Sequence, residues 1–146
     1  MKIAVMGEIH EDGWKVFEDN NLESFELLNF EENNLQKELS EVDAILLRTA
    51  RLSNDVLSFC KKLKIVSRHG VGYDNINLEY LNQNNIALGI TSTSNAVSVA
   101  EHVLTSFLYL CKNIHLSDRL TREGNFKNKS SLPNFFELYQ KNILIL

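Results

Sequence analysis

The feature that most constrains what this chain can fold into is a beat. Short apolar runs, Ile3-Ala4-Val5-Met6, Phe25 to Phe30, Ala44-Ile45-Leu46-Leu47, Ile65-Val66 and Ile86-Ala87-Leu88, begin about 20 residues apart. Helical patterns fill the intervals: Trp14, Val16 and Phe17; Leu35, Leu39 and Val42; Val56, Leu57 and Cys60; Ile76, Leu78 and Leu81. A strand of about five residues, a helix of about ten and two short turns use up one such interval, so the repeat predicts a parallel sheet joined by right-handed crossovers. The runs are apolar on successive residues instead of alternating, which fits a sheet covered on both faces. Residues 1–90 therefore read as an α/β, doubly wound parallel sheet.

Beyond residue 95 the beat breaks, and the domain division is set at 1–95 and 96–146. Ser98 to Ile114 reads as one long helix with Val99, Val103, Phe107, Leu110 and Ile114 on a stripe that Leu104, Leu108 and Cys111 widen, and a helix that apolar needs cover on several sides. Residues 115–134 are polar, contain Gly124 and the sole proline, Pro133, and read as a helix end followed by an extended connection. Asn142-Ile143-Leu144-Ile145-Leu146 then reads as a sixth apolar strand.

Composition narrows the class. With 146 residues, 44% hydrophobic and 23% charged, the chain is an ordinary globular one, which excludes disordered and collagen-like readings. No apolar stretch approaches the ~20 residues of a membrane span, and the first run is too short for a signal peptide, so the expected location is cytoplasmic with no membrane partner. Residues 1–43 hold twelve acidic and three basic residues, residues 44–146 seven and twelve. A small anion thus finds its more favourable home in the second part. No dense basic stripe interleaved with aromatics occurs, so nucleic acid is not an expected partner. Cys60 and Cys111 are too few for a disulfide framework or a zinc site and read as buried free thiols; no metal site is expected.

Chemistry concentrates in Ser67-Arg68-His69-Gly70-Val71-Gly72-Tyr73-Asp74-Asn75-Ile76, which follows the fourth strand. Two glycines one residue apart permit a tight turn and leave the N–H groups of Val71 and Gly72 free to face an anion. In a doubly wound sheet, ligands lie beyond the carboxyl ends of the strands, where this loop falls. Arg48 at the end of the third strand supplies a guanidinium suited to a carboxylate or phosphate, Arg68 a second one, and Asn95, after the fifth strand, a donor and an acceptor.

The run Arg68-x-Gly70-x-Gly72-x-Asp74-Asn75-Ile76, then Gly89-Ile90, then Asn95-Ala96-Val97-Ser98-Val99-Ala100-Glu101-His102, resembles the D-isomer-specific 2-hydroxyacid dehydrogenases, which include phosphoglycerate, glyoxylate/hydroxypyruvate and formate dehydrogenases. The resemblance covers essentially the whole chain and is specific over residues 44–114. It implies a flavodoxin-like substrate domain, followed by a long interdomain and dimer helix from Ser98 and the first strand of a truncated Rossmann domain. It also implies that Val71 and Gly72 give backbone N–H groups to the substrate carboxylate, that Val71 lies near the nicotinamide of NAD, and that Arg48, Arg68 and Asn95 contact the substrate. Implied partners are a small 2-hydroxy or 2-oxo acid and a second copy of the chain, as a homodimer or higher oligomer.

Two departures stand out. The stretch Gly89-Ile90-Thr91-Ser92-Thr93-Ser94 lacks the proline that the family often places before the Asn. The glycine fingerprint expected after Leu146 is not in this sequence, and the family's catalytic Arg, acidic residue and His lie beyond it as well, so no residue is assigned as catalytic. His69 and His102 match positions other than the catalytic histidine and read as structural, as does Glu101, an anchor of its helix; His10 and His115 read as surface residues. The expectation is the N-terminal part of an NAD-dependent, phosphoglycerate dehydrogenase-like oxidoreductase, inactive at this length and without tight NAD binding. The alternative is a non-catalytic carboxylate-binding or dimerisation module. A phosphorylatable receiver domain shares the fold class but needs an Asp where Arg48 stands.

Overall fold

The computed structural model describes residues 1–131 and 134–145 and divides into two compact units, Met1–Thr93 and Ser94–Leu146. In the first, β1 (Lys2–Met6), β2 (Glu23–Leu27), β3 (Ala44–Leu47), β4 (Ile65–Arg68) and β5 (Ala87–Ile90) form one parallel sheet in the order β2-β1-β3-β4-β5. Helices α1 (Glu11–Asp19), α2 (Glu32–Leu39), α3 (Asn54–Phe59) and α4 (Leu78–Gln83) make the crossovers. This is the flavodoxin-like order, with its reversal between β1 and β3.

Strand parity explains the core. Ala4, Met6, Ile45, Leu47 and Val66 point to one face and are buried with Leu35 and Leu39 of α2, Val56 and Leu57 of α3, and Leu81 of α4. Ile3, Val5 and Ala44 point to the other face and are also buried, so the inner strands are covered on both sides, as their unbroken apolar runs require. Local caps start the helices: Ser53 Oγ accepts from Val56 N at 3.3 Å and Asn77 Oδ1 from Tyr80 N at 3.0 Å. At the amino ends of the strands Asp43 ties three of them together, accepting from Lys2 N at 2.9 Å and from Lys64 Nζ at 2.8 Å.

Several expectations need correction. The second strand ends at Leu27, and Leu28 and Phe30 are exposed; an edge strand needs no continuous apolar run, and these two lie past its last paired residue. In the second unit the long helix α5 runs from Ala96 to Cys111, and Asn113, in the left-handed region at φ 45°, breaks the helix before Ile114. Residues 114–122 then form a separate helix, α6 (Ile114–Arg122), where the end of the long helix and the start of an extended connection were expected, followed by a 3₁₀ turn over Phe126–Ser131. Asn113 makes both the break and the restart, since its carbonyl accepts from Leu116 N and Ser117 N at 3.1 Å.

The expected sixth strand is not formed over Asn142–Ile145, where no sheet pairing occurs; Leu146, like Pro133, lies outside the described residues. A parallel strand exists only against a neighbour, and none accompanies this one among the described residues. Cys60 is buried as expected, whereas Cys111 is only partly buried.

Candidate functional site

The site sits at the carboxyl ends of β1, β3, β4 and β5. At the switch between β1 and β3, the chain leaves β1 through Gly7, whose φ of +109° is one that side chains rarely tolerate. Arg48 follows β3 directly beside it. The backbone N of Arg48 donates to Met6 O at 3.1 Å, and Nη1 donates to Glu8 O at 2.9 Å, pinning the β1–α1 connection. The rest of the guanidinium is exposed and donates to no protein acceptor among the described residues.

The glycine loop leaves β4 one strand further along. His69 N donates to Leu47 O at 2.8 Å and Gly70 N to Arg68 O at 2.9 Å, which turns the chain sharply at the end of the sheet. Thr91 N, just past β5, donates to Gly70 O at 3.2 Å and fixes the loop from the other side. Val71 and Gly72 then project outward, and their N–H groups have no partner among the described residues. A Cβ on Gly72 would stand 3.3 Å from Asp74 Oδ1. The tail of the loop is tied down by Asn75, whose Nδ2 donates to Ala50 O at 2.6 Å while its own carbonyl accepts from Leu52 N at 3.1 Å. An open crevice of ≈ 550 Å³ lies below this tail, lined by Arg51, Asp55, Asp74 and Asn75 among others.

Chemically, two unpaired N–H groups one residue apart, with a guanidinium at the neighbouring strand end, suit a carboxylate on a small molecule. Of the residues expected from sequence, Arg48, Arg68, Val71 and Gly72 gather here, just past β3, at the end of β4 and in the loop between β4 and α4. Arg68 is half-buried, with Nη1 donating to His69 O at 2.8 Å. Asn95 belongs to the second unit, where it precedes α5 and accepts from Val99 N through its backbone carbonyl at 2.9 Å; its side chain makes no capping bond.

Sequence reasoning passed over Gly7, Asn75 and Thr91 as site-building residues. Gly7 had a usable signal, a glycine directly after an apolar strand; the bonds of Asn75 and Thr91 had none, because both are made to residues more than twenty positions away.

The histidines are all exposed, His10 serving as the cap of α1, where Nδ1 accepts from Asp12 N at 3.3 Å. Among the described residues no group of three or more His, Cys, Asp or Glu side chains could hold a metal ion, and no helix is long and apolar enough to cross a membrane.

Sheet order and crossover helices together define an α/β unit with a flavodoxin-like parallel sheet. Residues 3–144 match the family described as D-isomer specific 2-hydroxyacid dehydrogenase, catalytic domain, and the chain belongs to that family. It is 30% identical over 130 residues to a D-3-phosphoglycerate dehydrogenase of Archaeoglobus fulgidus, a match covering 88% of this chain and 25% of that protein. Among solved structures it resembles a protein of Pyrococcus horikoshii (TM-score 0.79, 22% identity, 94% of this chain and 43% of that one). It also resembles an NAD-dependent formate dehydrogenase of Staphylococcus aureus solved with NAD (TM-score 0.69, 26% identity, 96% and 44%). The chain spans about a quarter of the length of the curated relatives it matches.

Proposed function

We propose that this chain is the substrate-binding part of an NAD-dependent, phosphoglycerate dehydrogenase-like enzyme of the cytoplasm that interconverts a 2-hydroxy and a 2-oxo acid. The observation that carries this reading is the pair of unpaired N–H groups of Val71 and Gly72 on an exposed loop at the carboxyl edge of the sheet. They hold the substrate carboxylate, and the exposed guanidinium of Arg48 takes a second anionic group at the far end of the substrate. Arg68 adds positive charge to the same edge, and Asn95 is the contact that the second unit contributes.

NAD, when bound, supplies or accepts the hydride, and the chain's own share of its site is small. Val71, 41% exposed beside the carboxylate seat, fits a contact with the nicotinamide. The described part of the second unit holds one glycine, Gly124 after α6, and so offers no Gly-x-Gly-x-x-Gly cradle for the pyrophosphate. This chain therefore binds the acid, orients its carboxylate and leaves proton transfer and dinucleotide binding to groups outside it.

A second reading, a non-catalytic module that assembles through α5, is favoured by one observation: Val97, Val99, Leu104, Leu108 and Leu110 are 47–73% exposed along that helix. Titrating the isotope-labelled chain with pyruvate separates the two. Site-specific shifts of the Val71 and Gly72 amides support the enzyme reading, and their absence removes it. NADH fluorescence should give no micromolar affinity; a micromolar value would refute the division of labour proposed above.

A further inference from the structure

Arg68 ends β4, yet its side chain turns back toward the protein. Nη1 donates to His69 O at 2.8 Å and, more weakly, to Leu47 O at 3.4 Å. The guanidinium fills the space that a side chain on Gly70 would need: a Cβ there would lie 2.9 Å from Nη1, 3.2 Å from Cζ and 3.3 Å from Nη2. Nε is buried with no partner, so no ligand arriving from solvent reaches it while the side chain stays in place. Gly70 in turn is the hinge of the loop, bonded backward to Arg68 O and across to Thr91 N.

We infer that Arg68 is a positioning residue: its guanidinium braces the His69–Gly70 turn and so keeps the Val71 and Gly72 N–H groups facing outward. Charge-assisted bonds to backbone carbonyls are stronger than neutral ones, and a planar guanidinium can pack on a glycine while it donates, which an ammonium cannot do. Swinging out to meet an anion would forfeit the bond to His69 O and open a gap over Gly70. The inference rests on the loop being a carboxylate seat, and its test separates the two.

Amide hydrogen exchange is measured on the intact labelled chain for Gly70, Thr91 and the core amides of β3 and β4, together with pyruvate-induced shifts at Val71 and Gly72. Arg68→Met is expected to speed exchange at Gly70 and Thr91 about tenfold, leaving the core within about twofold, and to weaken the pyruvate response. Arg68→Lys should fall between, with loop protection and pyruvate response moving together. Gly70→Ala, which keeps the charge of Arg68 but displaces it, should loosen the loop and weaken the response like Arg68→Met, and it decides the matter if Arg68→Met does not fold. Arg51→Met, whose side chain makes no bond to the loop, should leave exchange unchanged.

Unchanged exchange in Arg68→Met, or a stronger pyruvate response in Gly70→Ala, would overturn the proposal. If the wild-type chain gives no pyruvate response, the carboxylate reading fails while the exchange rates still decide the role of Arg68.

Discussion

Arg48 and Gly7 meet at the switch between β1 and β3: a Cβ on Gly7 would lie 3.2 Å from Arg48 Cβ, and Gly7 already holds a φ of +109°. Both facts oppose any side chain at residue 7. Gly7→Ala is expected to cost about 1–3 kcal/mol, from backbone strain plus the displacement of Arg48. Urea unfolding checks this, and a midpoint equal to that of the wild type would show that the turn relaxes freely.

Burial pushes the Cys60 thiol up from its usual 9.0 to about 11, and the nearby Lys61 only partly offsets this. The thiolate is the reactive form, so Cys60 should be alkylated by iodoacetamide at pH 8 at least about tenfold more slowly than the partly buried Cys111. Peptide mapping by mass spectrometry gives both rates. The same shift has a stability consequence whose sign is fixed: the unfolded chain loses this proton first, so stability present below pH 9 declines as pH rises toward 11. In Cys60→Ala that alkaline decline should be shallower.

Lys64 beside Asp43 holds its carboxyl below the ordinary 3.8, and the backbone N–H of Lys2 adds to the effect. A carboxylate whose folded value is lowered contributes stability above its unfolded value and loses it as pH falls through the folded one. Asp43→Asn should therefore melt below the wild type at pH 7, and the gap in Tm should close as pH drops below about 4. A gap independent of pH would mean that packing, and not charge, is what Asp43 supplies to the strand ends.

Leu104 and Leu108 lie one turn apart on α5 and are 54% and 47% exposed. An apolar helix in this state is expected to self-associate, so sedimentation should report a dimer that grows with concentration. The paired change Leu104→Glu with Leu108→Glu should weaken that association by at least about tenfold, the effect of two buried charges at an interface. A wild-type chain that stays monomeric at high concentration would remove the expectation.

Much of the fold was legible because the inner strands are buried on both faces. Ile3–Met6 and Ala44–Leu47 are apolar at every residue, and β1 and β3 follow those runs closely. The edge was harder to read: β2 starts at Glu23 and has only Leu27 fully buried, so its apolar content ran past its end into Leu28 and Phe30. The apolar tail from Asn142 has the composition of a strand, but composition cannot supply the neighbour a strand needs. Asn113 carried a faint signal, since Asn tolerates the left-handed region, yet apolar periodicity runs straight through it to Ile114.

In the candidate site, the glycine spacing and the two strand-end arginines were visible in one dimension. What could not be seen was direction. Arg48 and Arg68 look equivalent in sequence, and only the three-dimensional surroundings separate the one facing solvent from the one folded over Gly70.

The position of β1 in the sheet sets a timetable. The first strand to be synthesised lies in the interior, paired on one side with β2 and on the other with β3, which comes some forty residues later in the register Ile3↔Ala44. From β3 onward each new strand adds to the same growing edge, β4 and then β5. Loop-closure entropy is thus paid in stages as the chain lengthens. The last bond in this order is the one from Thr91 N to Gly70 O, so the nascent chain finishes its scaffold before the anion-facing turn is locked. A chain interrupted just before residue 91 would hold all five strands of the sheet with an unfinished turn.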